Sequence, residues 1–597
     1  MRNAEQILGI IRERGKRGLP LEDIYRQLYN PTLYLMAYAR LYSNEGAMTR
    51  GTTSETVDGM ALRKIERLID DLRHERFRWT PVRRTYIVKK NGKLRPLGIP
   101  TWTDKVLQEA IRLILEAYYE PQFSPHSHGF RPDRGCHTAL REMEQTWTGT
   151  KWYVEGDIAQ CFDRLDHQVL IGILREKLHD NRFLRLIGQL LEAGYLEEWT
   201  YHPTLSGSPQ GGVVSPMLSN IYLDQLDKYV EQEVLPVYTR GERRQRNPLY
   251  NTLRVREQYY RKRGHREKAM ELRKQRQRLP ERNPLDPNYR RLRYVRYADD
   301  FCLGLAGSKE EAEEIKQKLK TFLQDQLKLE LSQEKTLITH ASTQPAHFLG
   351  YELVVQYRDD KRDHTDRRCI NGHVGLRVPA KVIENKCALY RRQGKPHHRK
   401  ELMSDDDFSI IARYQAEYRG FVQYYQLAQN VSWLWKLHGV MRASLLKTLA
   451  LKHKRSVSKM TRKYRATVET EHGPIKCLEI IVPREGKKPL VARFGGIPLR
   501  RQSHAMLSDQ LVSITRKPAR NELLKRLLAH TCELCKSTHQ VEVHHIRKLA
   551  DLQKPGRAEK PRWARVMAAR RRKTLIVCRE CHQAIHAGKP TRKPPGQ

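Results

Sequence analysis

The chain has 597 residues, 39% of them hydrophobic and 30% charged, and its 111 Lys and Arg outweigh 68 Asp and Glu to give a net charge of +43. That length predicts about three to five domains with real cores. The basic excess goes beyond what a small-molecule enzyme requires and points to a long polyanion, nucleic acid first.

An anionic membrane surface is disfavoured, because no apolar run approaches transmembrane length and no lipidation signal is present. The start, Met1-Arg2-Asn3-Ala4-Glu5, lacks the apolar stretch of a signal peptide, so a cytoplasmic location is expected. Ten cysteines in that compartment should be reduced thiols, or metal ligands where they cluster.

Residues 1–80 read as a helical extension. Ile7, Ile10 and Ile11 recur at helical spacing, as do Leu62, Ile65, Leu68 and Ile69, and Asn30-Pro31 marks a turn with a helix start between them. Residues 84–100 read as a β-hairpin about Asn91-Gly92. Lys89 and Arg95 flank its turn, so both could reach one phosphate group; the plainer reading is two solvated basic side chains. A helix is expected from Asp104 to about Tyr119, then the Gly/Pro-rich loop His128-Gly129-Phe130-Arg131-Pro132. Trp152-Tyr153-Val154 starts a strand that places Asp157 near its end.

Phe162 follows five residues later, where a bulky ring under an incoming sugar would clash with a 2′-OH; as a plain alternative it is a core aromatic. The loop Ser208-Pro209-Gln210-Gly211-Gly212 lets backbone approach a ligand closely, and Gln210 offers both a donor and an acceptor. Residues 236–291 are rich in Arg, Lys and Gln and read as a basic insertion, partly helical, either a solvated arm or an arm on nucleic acid.

Arg296-Tyr297-Ala298-Asp299-Asp300 lies between two β-prone runs, Leu292–Val295 and Phe301–Leu305, which predicts a tight hairpin with two acids at its turn. Paired half-buried carboxylates repel each other, and a divalent cation removes that cost. With Asp157 converging from a neighbouring strand, three acids suit two Mg²⁺ ions, one activating the attacking hydroxyl and one holding the triphosphate and leaving group. Further on, Lys335 either neutralises a pyrophosphate leaving group, protonates it, or is a surface lysine.

Taken in order, these segments resemble the reverse transcriptases encoded by group II introns, the maturase family. The resemblance spans roughly residues 25–355 and rests on the 30–60 extension and seven ordered motifs. They are Lys93 to Pro100, Gly129-Phe130-Arg131-Pro132, Asp157-Ile158 through Cys161-Phe162-Asp163, Ser208-Pro209-Gln210-Gly211, Tyr297-Ala298-Asp299-Asp300, Lys335-Thr336 and Phe348-Leu349-Gly350-Tyr351.

The resemblance implies an α+β multidomain protein with a right-hand polymerase, fingers and palm over 81–375. It assigns Mg²⁺ to Asp157, Asp299, Asp300 and the Ile158 carbonyl, the triphosphate to Lys89 and Arg95, and the sugar check to Phe162. Residues 376–485, with Tyr414, Glu417-Tyr418-Arg419-Gly420 and Tyr424-Tyr425, resemble the family's helical thumb, domain X, which also binds intron RNA. By position, residues 486–528 resemble its DNA-binding region.

Residues 529–597 carry Cys532-x-x-Cys535 and Cys578-x-x-Cys581, the spacing of a structural Cys₄ zinc site. His544-His545 lies between the pairs, and His582 and His586 are four apart on one helix face. The module resembles a zinc-stapled HNH (ββα-metal) endonuclease. That resemblance makes His545 the general base and His544, His582 and His586 the ligands of one catalytic Mg²⁺. The Asn usually found before the second cysteine pair is absent; Lys573-Thr574 stands there, so either Thr574 substitutes or the nuclease is weakened. A zinc-stapled DNA-binding finger without cleavage is the plainer reading.

The function expected is that of a multifunctional intron-encoded protein. It would act as RNA-directed DNA polymerase, splicing cofactor for its own intron RNA, and DNA endonuclease in target-primed retrohoming. Intron RNA, target DNA and deoxynucleoside triphosphates are the expected partners. A splicing chaperone with a vestigial polymerase is the alternative, opposed by three intact acids; a retron-like enzyme is opposed by everything after residue 376.

Overall fold

The computed structural model describes residues 3–597 apart from 89–91, 93, 199, 205–206, 208–210, 284–285, 359–360, 362–363, 365–369, 485–486, 508–521, 548–551, 553–560, 593 and 595–597. Its N-terminal half is built around the helix Trp102–Tyr119, buried on nearly every side. The Thr101 hydroxyl caps its start by accepting the Asp104 N–H (3.3 Å). Charged residues tolerate this burial because they are paired: Arg112 donates to Glu109 at 2.7 and 2.8 Å and also to Glu116.

Helices Ala4–Lys16 and Pro31–Leu41 pack along it. A Cβ at Gly15 would stand 2.1 Å from the Tyr118 carbonyl oxygen, so the close approach requires glycine. Asn30 caps the second of these helices with Pro31 in its first turn, as the sequence suggests, and Leu62–Arg73 completes the helical extension.

β1 (Val82–Val88) and β2 (Leu94–Ile99) pair antiparallel, with Ile87 opposite Arg95, as the expected hairpin requires; Asn91 of its turn lies outside the described residues. β3 (Trp152–Asp157) belongs to another sheet, while β4 (Tyr195–Glu197) pairs parallel to β1 and β5 (Thr200–His202) antiparallel to β4. β6 (Arg291–Tyr297), β7 (Asp300–Ala306) and β8 (Leu337–His340) join β3 in an antiparallel sheet of order β6-β7-β3-β8. β7 is buried from Phe301 onward, which is why that stretch reads as a continuous apolar run rather than an alternation.

The basic insertion is a helical hairpin, Pro248–Lys262 against Arg266–Gln277, with scarcely a buried residue; Arg276 bonds Glu257 across it at 2.7 Å.

A second core joins helix Cys136–Thr146 and residues of β3, β6 and β7 (Tyr153, Val295, Cys302) to β9 (Ala346–Phe348), β10 (Tyr351–Val355) and β11 (Val374–Arg377); the small hairpin β12 (Arg391–Arg392) and β13 (Lys395–Pro396) follows. Helices Asp407–Tyr424 and Trp435–Lys452 fill it, and β14 (Arg465–Thr470), β15 (Gly473–Arg484) and β16 (Lys487–Gly495) close it. β15 and β16 pair with each other, so this sheet runs through the expected boundary at 485/486.

The C-terminal module is β17 (Val541–His545) antiparallel to β18 (Thr574–Cys578), followed by helix Arg579–His586. Its apolar edge, Val541, Val543 and Ile576 with Leu523 and Leu527, joins the N-terminal core rather than standing apart. Among the described residues no helix is long and apolar enough to cross a membrane.

Candidate active sites

The acidic turn forms as its flanking runs require. Tyr297 pairs with Asp300 across it, and Ala298 takes a left-handed φ of 55°. β3 lies alongside in a register that sets Asp157 opposite Asp300. The Ile158 N–H donates to the Asp299 carbonyl (3.3 Å), tying the end of β3 to the turn. A Cβ at Gly156 would fall 2.2 Å from the Phe301 ring, so only glycine fits between Glu155 and Asp157.

Burial raises the Asp300 carboxyl, and the charges of Asp299 and Asp157 raise it further, to about 7; Asp299 is raised too, chiefly by burial. Lys335 holds Asp157 at 2.8 and 2.9 Å.

Phe162 is buried, edge-on to Phe130 at 6.3 Å between centroids. Arg95 is exposed on β2, near enough for its charge to act on Asp299. Lys89 and Gln210 lie outside the described residues. At Gly211 a Cβ would sit 2.5 Å from the Gly98 carbonyl oxygen, so the backbone at this glycine abuts β2.

Sequence reasoning missed what anchors the turn. Arg296 and Asp227 are both fully buried and form a two-pronged pair at 2.7 and 2.6 Å. The same guanidinium donates to the Ala298 carbonyl (2.9 Å), inside the turn, and Tyr294 donates to Asp227 (2.8 Å). Arg296 opens the acidic stretch in the sequence, but nothing in its spacing marks Asp227, which lies 69 residues upstream, as its partner.

In the C-terminal module the four cysteine sulfurs lie within 4.8 Å of one another. A tetrahedral zinc with bonds of about 2.3 Å sets sulfurs about 3.8 Å apart, and Cys535 and Cys578 stand at 3.6 Å. The donor set could hold zinc.

A second group gathers His544, His582 and His586, and with them Asp58 from the N-terminal extension. Glu542 holds the other nitrogen of His582 at 2.7 Å. Burial works against a charged His582, but Asp58 and Glu542 outweigh it and push the ring up to about 9. His545 is pushed down to about 3 by burial, so it is a neutral imidazole, and its Nε2 meets the Tyr38 hydroxyl at 2.9 Å. Thr574 pairs with His545 across the sheet, and its hydroxyl accepts from Arg526 (2.8 Å). Neither Asp58 nor Tyr38 carries a sequence signal that relates it to a module almost 500 residues away.

Comparison with known proteins defines the class. Residues 87–353 match Reverse transcriptase (RNA-dependent DNA polymerase), 378–479 match Type II intron maturase, and 532–582 match AI2M/AI1M-like, HNH endonuclease. The protein is therefore an enzyme that joins a reverse transcriptase, a maturase domain and an HNH endonuclease in one chain.

It is 40% identical to group II intron-encoded protein LtrA of Lactococcus lactis subsp. cremoris over 584 residues, covering 94% of this chain and 95% of that one. It is 32% identical to the putative COX1/OXI3 intron 1 protein of Saccharomyces cerevisiae over 95% of this chain and 69% of the relative. Protein YkfC of Escherichia coli is 31% identical over 56% of this chain and 84% of its own. The chain belongs to the group II intron-encoded proteins.

Proposed function

We propose that the chain binds its own intron RNA for splicing, stays with it, nicks target DNA with the C-terminal module and extends the new 3′ end on the intron RNA from the Asp157–Asp300 site. The observation that carries this reading is the register setting Asp157 opposite Asp300 beside Asp299, with Lys335 bonded to Asp157. Carboxylates held this close keep Asp300 hard to ionise, which fits a site completed by cations.

Asp157, Asp299, Asp300 and the Ile158 carbonyl would hold Mg²⁺, which supplies activation of the primer hydroxyl and charge neutralisation of the triphosphate. Around it the chain's own side chains set the substrate. Arg95, with Lys89, takes the triphosphate; Gln210 meets the base or sugar edge; Phe162 excludes a 2′-OH, favouring deoxynucleotides. The Lys335 ammonium neutralises or protonates the departing pyrophosphate.

On this reading residues 81–375 are fingers and palm, 376–485 the thumb and domain X, 486–528 the DNA-binding region and 529–597 the nuclease, after the extension of 1–80; the division at 485/486 is one of role, since β15 and β16 pair across it. The net charge of +43 suits that traffic of polyanions, and the site of action is the cytoplasm.

In the nuclease, His545 takes the proton from the attacking water. His544, His582 and His586 would hold one Mg²⁺, and the four cysteines a structural zinc.

Primer extension on an RNA template with Mg²⁺ and deoxynucleotides tests the polymerase half. Extension should vanish in Asp300→Ala. A folded, RNA-binding wild type that extends nothing would turn the protein into a splicing chaperone and the three acids into structural residues.

A further inference from the structure

The nuclease histidines face the N-terminal extension. The Gly59 N–H donates to the Val543 carbonyl and the Val543 N–H to the Met60 carbonyl, both at 2.9 Å, so Met60 makes a single antiparallel β-bridge to Val543 of β17. This bridge delivers the Asp58 carboxylate into the histidine cluster. One oxygen lies 3.2 Å from His582 Nε2 and 3.3 Å from His544 Nδ1; the other lies 2.7 Å from His586 Nε2.

The first oxygen also accepts the His545 backbone N–H (2.7 Å). Arg63 pairs with Glu542 at 3.1 Å, and Tyr38 covers the His545 ring. With the apolar edge of β17 and β18 sunk into the N-terminal core, this junction is a built interface.

Three imidazoles and one carboxylate with donor atoms within 4.8 Å make a complete four-donor set for a divalent ion. A catalytic metal site keeps a position open for water or substrate, whereas a closed set of protein ligands is the mark of a structural site. Here the module itself supplies three ligands, and the fourth position is filled from the other end of the chain. A carboxylate oxygen and a phosphodiester oxygen are alike as hard anionic donors.

We propose that Asp58 is a fourth ligand of the nuclease metal ion, and that it occupies the position which the scissile phosphate of DNA must take. The polymerase extension thereby holds the nuclease closed until DNA displaces Asp58. The exposure of His545, 6%, agrees: its ring meets Tyr38 and its amide meets Asp58, so a duplex reaches this base only when the module parts from the extension. The proposal rests on reading the three histidines as the nuclease metal site.

The test uses full-length protein carrying Asp299→Ala and Asp300→Ala, to weaken cation binding at the polymerase site, with Mn²⁺ as the probe. Asp58→Asn keeps an oxygen for the His545 amide, so the junction can form, but it removes the anionic ligand. Calorimetry should show Mn²⁺ affinity at the His586-dependent site falling about tenfold or more in Asp58→Asn. Mn²⁺ should slow amide exchange at Gly59 and Val543 in the parent protein and not in Asp58→Asn.

In protein–RNA particles with intact polymerase acids and saturating Mn²⁺, Asp58→Asn should nick target duplex several-fold faster. Without any variant at Asp58, target duplex should speed exchange at Gly59. Unchanged Mn²⁺ affinity, nicking abolished at saturating Mn²⁺, or exchange at Gly59 indifferent to duplex would each overturn the proposal. Mn²⁺ binding that ignores His586→Ala would remove the metal-site reading and the proposal together, whereas binding that needs His586 but ignores Asp58 removes the proposal alone.

Discussion

Replacing Asp227 by Asn should loosen the acidic turn from behind. Arg296 and Asp227 are both 0% exposed, and the guanidinium makes two bonds to the carboxylate and one to the Ala298 carbonyl. Removing one partner of a buried ion pair leaves an uncompensated charge and costs about 3–5 kcal/mol. Asn keeps the shape and one acceptor, which puts the expected cost near the lower end, about 3 kcal/mol.

At about 1.4 kcal/mol per factor of ten, that is roughly a hundredfold. In a chain of several domains a global unfolding curve is not two-state, so the measurement is native-state amide exchange over β6 and β7. Exchange there should quicken roughly a hundredfold in Asp227→Asn, and primer extension should fall with it. Removing both charges, with Asp227→Leu and Arg296→Met, should restore most of the protection. Extension should stay low, because the Ala298 carbonyl has lost its donor. Exchange within a factor of ten of wild type in Asp227→Asn would refute the argument that this pair supports the acids.

Three further outcomes are expected. Cys578→Ser should empty the cysteine site and unfold the module around it, since a structural zinc site contributes about 10 kcal/mol or more to folding; zinc content by mass spectrometry and exchange over β17 and β18 check this. His438, buried against Phe494 and Trp435, is held down to about 4 by burial. It is neutral when folded, so the unfolded chain alone takes up its proton as pH falls below 6.5, and the loss reaches about 3 kcal/mol once pH is below 4. Its Nδ1 has no hydrogen-bond partner among the described residues, so His438→Phe should flatten that acid limb of amide-exchange protection over helix Trp435–Lys452 at little cost near pH 7. Intron RNA binding should weaken steeply between about 50 and 200 mM salt; a filter-binding curve that stayed flat would contradict reading +43 as phosphate neutralisation.

What the sequence made legible was local. The pairing of β1 with β2, the strand ending at Asp157, the acids at the β6–β7 turn and the helix carrying His582 and His586 each have a short-range pattern that also sets their geometry. Tyr414, Tyr418 and Tyr425 are buried, and Tyr424 and Tyr425 also hold the turn between β9 and β10, donating to the Leu349 and Gly350 carbonyls at 2.7 and 3.1 Å. A φ of 47° at Leu349 and 73° at Gly350 makes that turn a tight two-residue one, so the motif Phe348-Leu349-Gly350-Tyr351 and the tyrosine pair are two halves of one joint. Nothing in either half's spacing names the other.

The same limit explains Asp227 and Asp58. Each is a single carboxylate on an element whose pattern is satisfied without it: Asp227 on the helix Ser215–Tyr229, Asp58 in the turn before Leu62–Arg73. Their partners are far along the chain, and a charge buried at long range leaves no periodicity to detect. Yet both are answerable to one rule, that a charge taken out of water must meet its opposite. Arg296 with no acid beside it would be an uncompensated buried charge, so a fully buried arginine in β6 already demands a carboxylate from the helix packed behind the sheet. In the nuclease the demand is met by whichever anion is nearest. In this structure that anion is Asp58; on a bound substrate it would be phosphate, and the two cannot hold the same position at once.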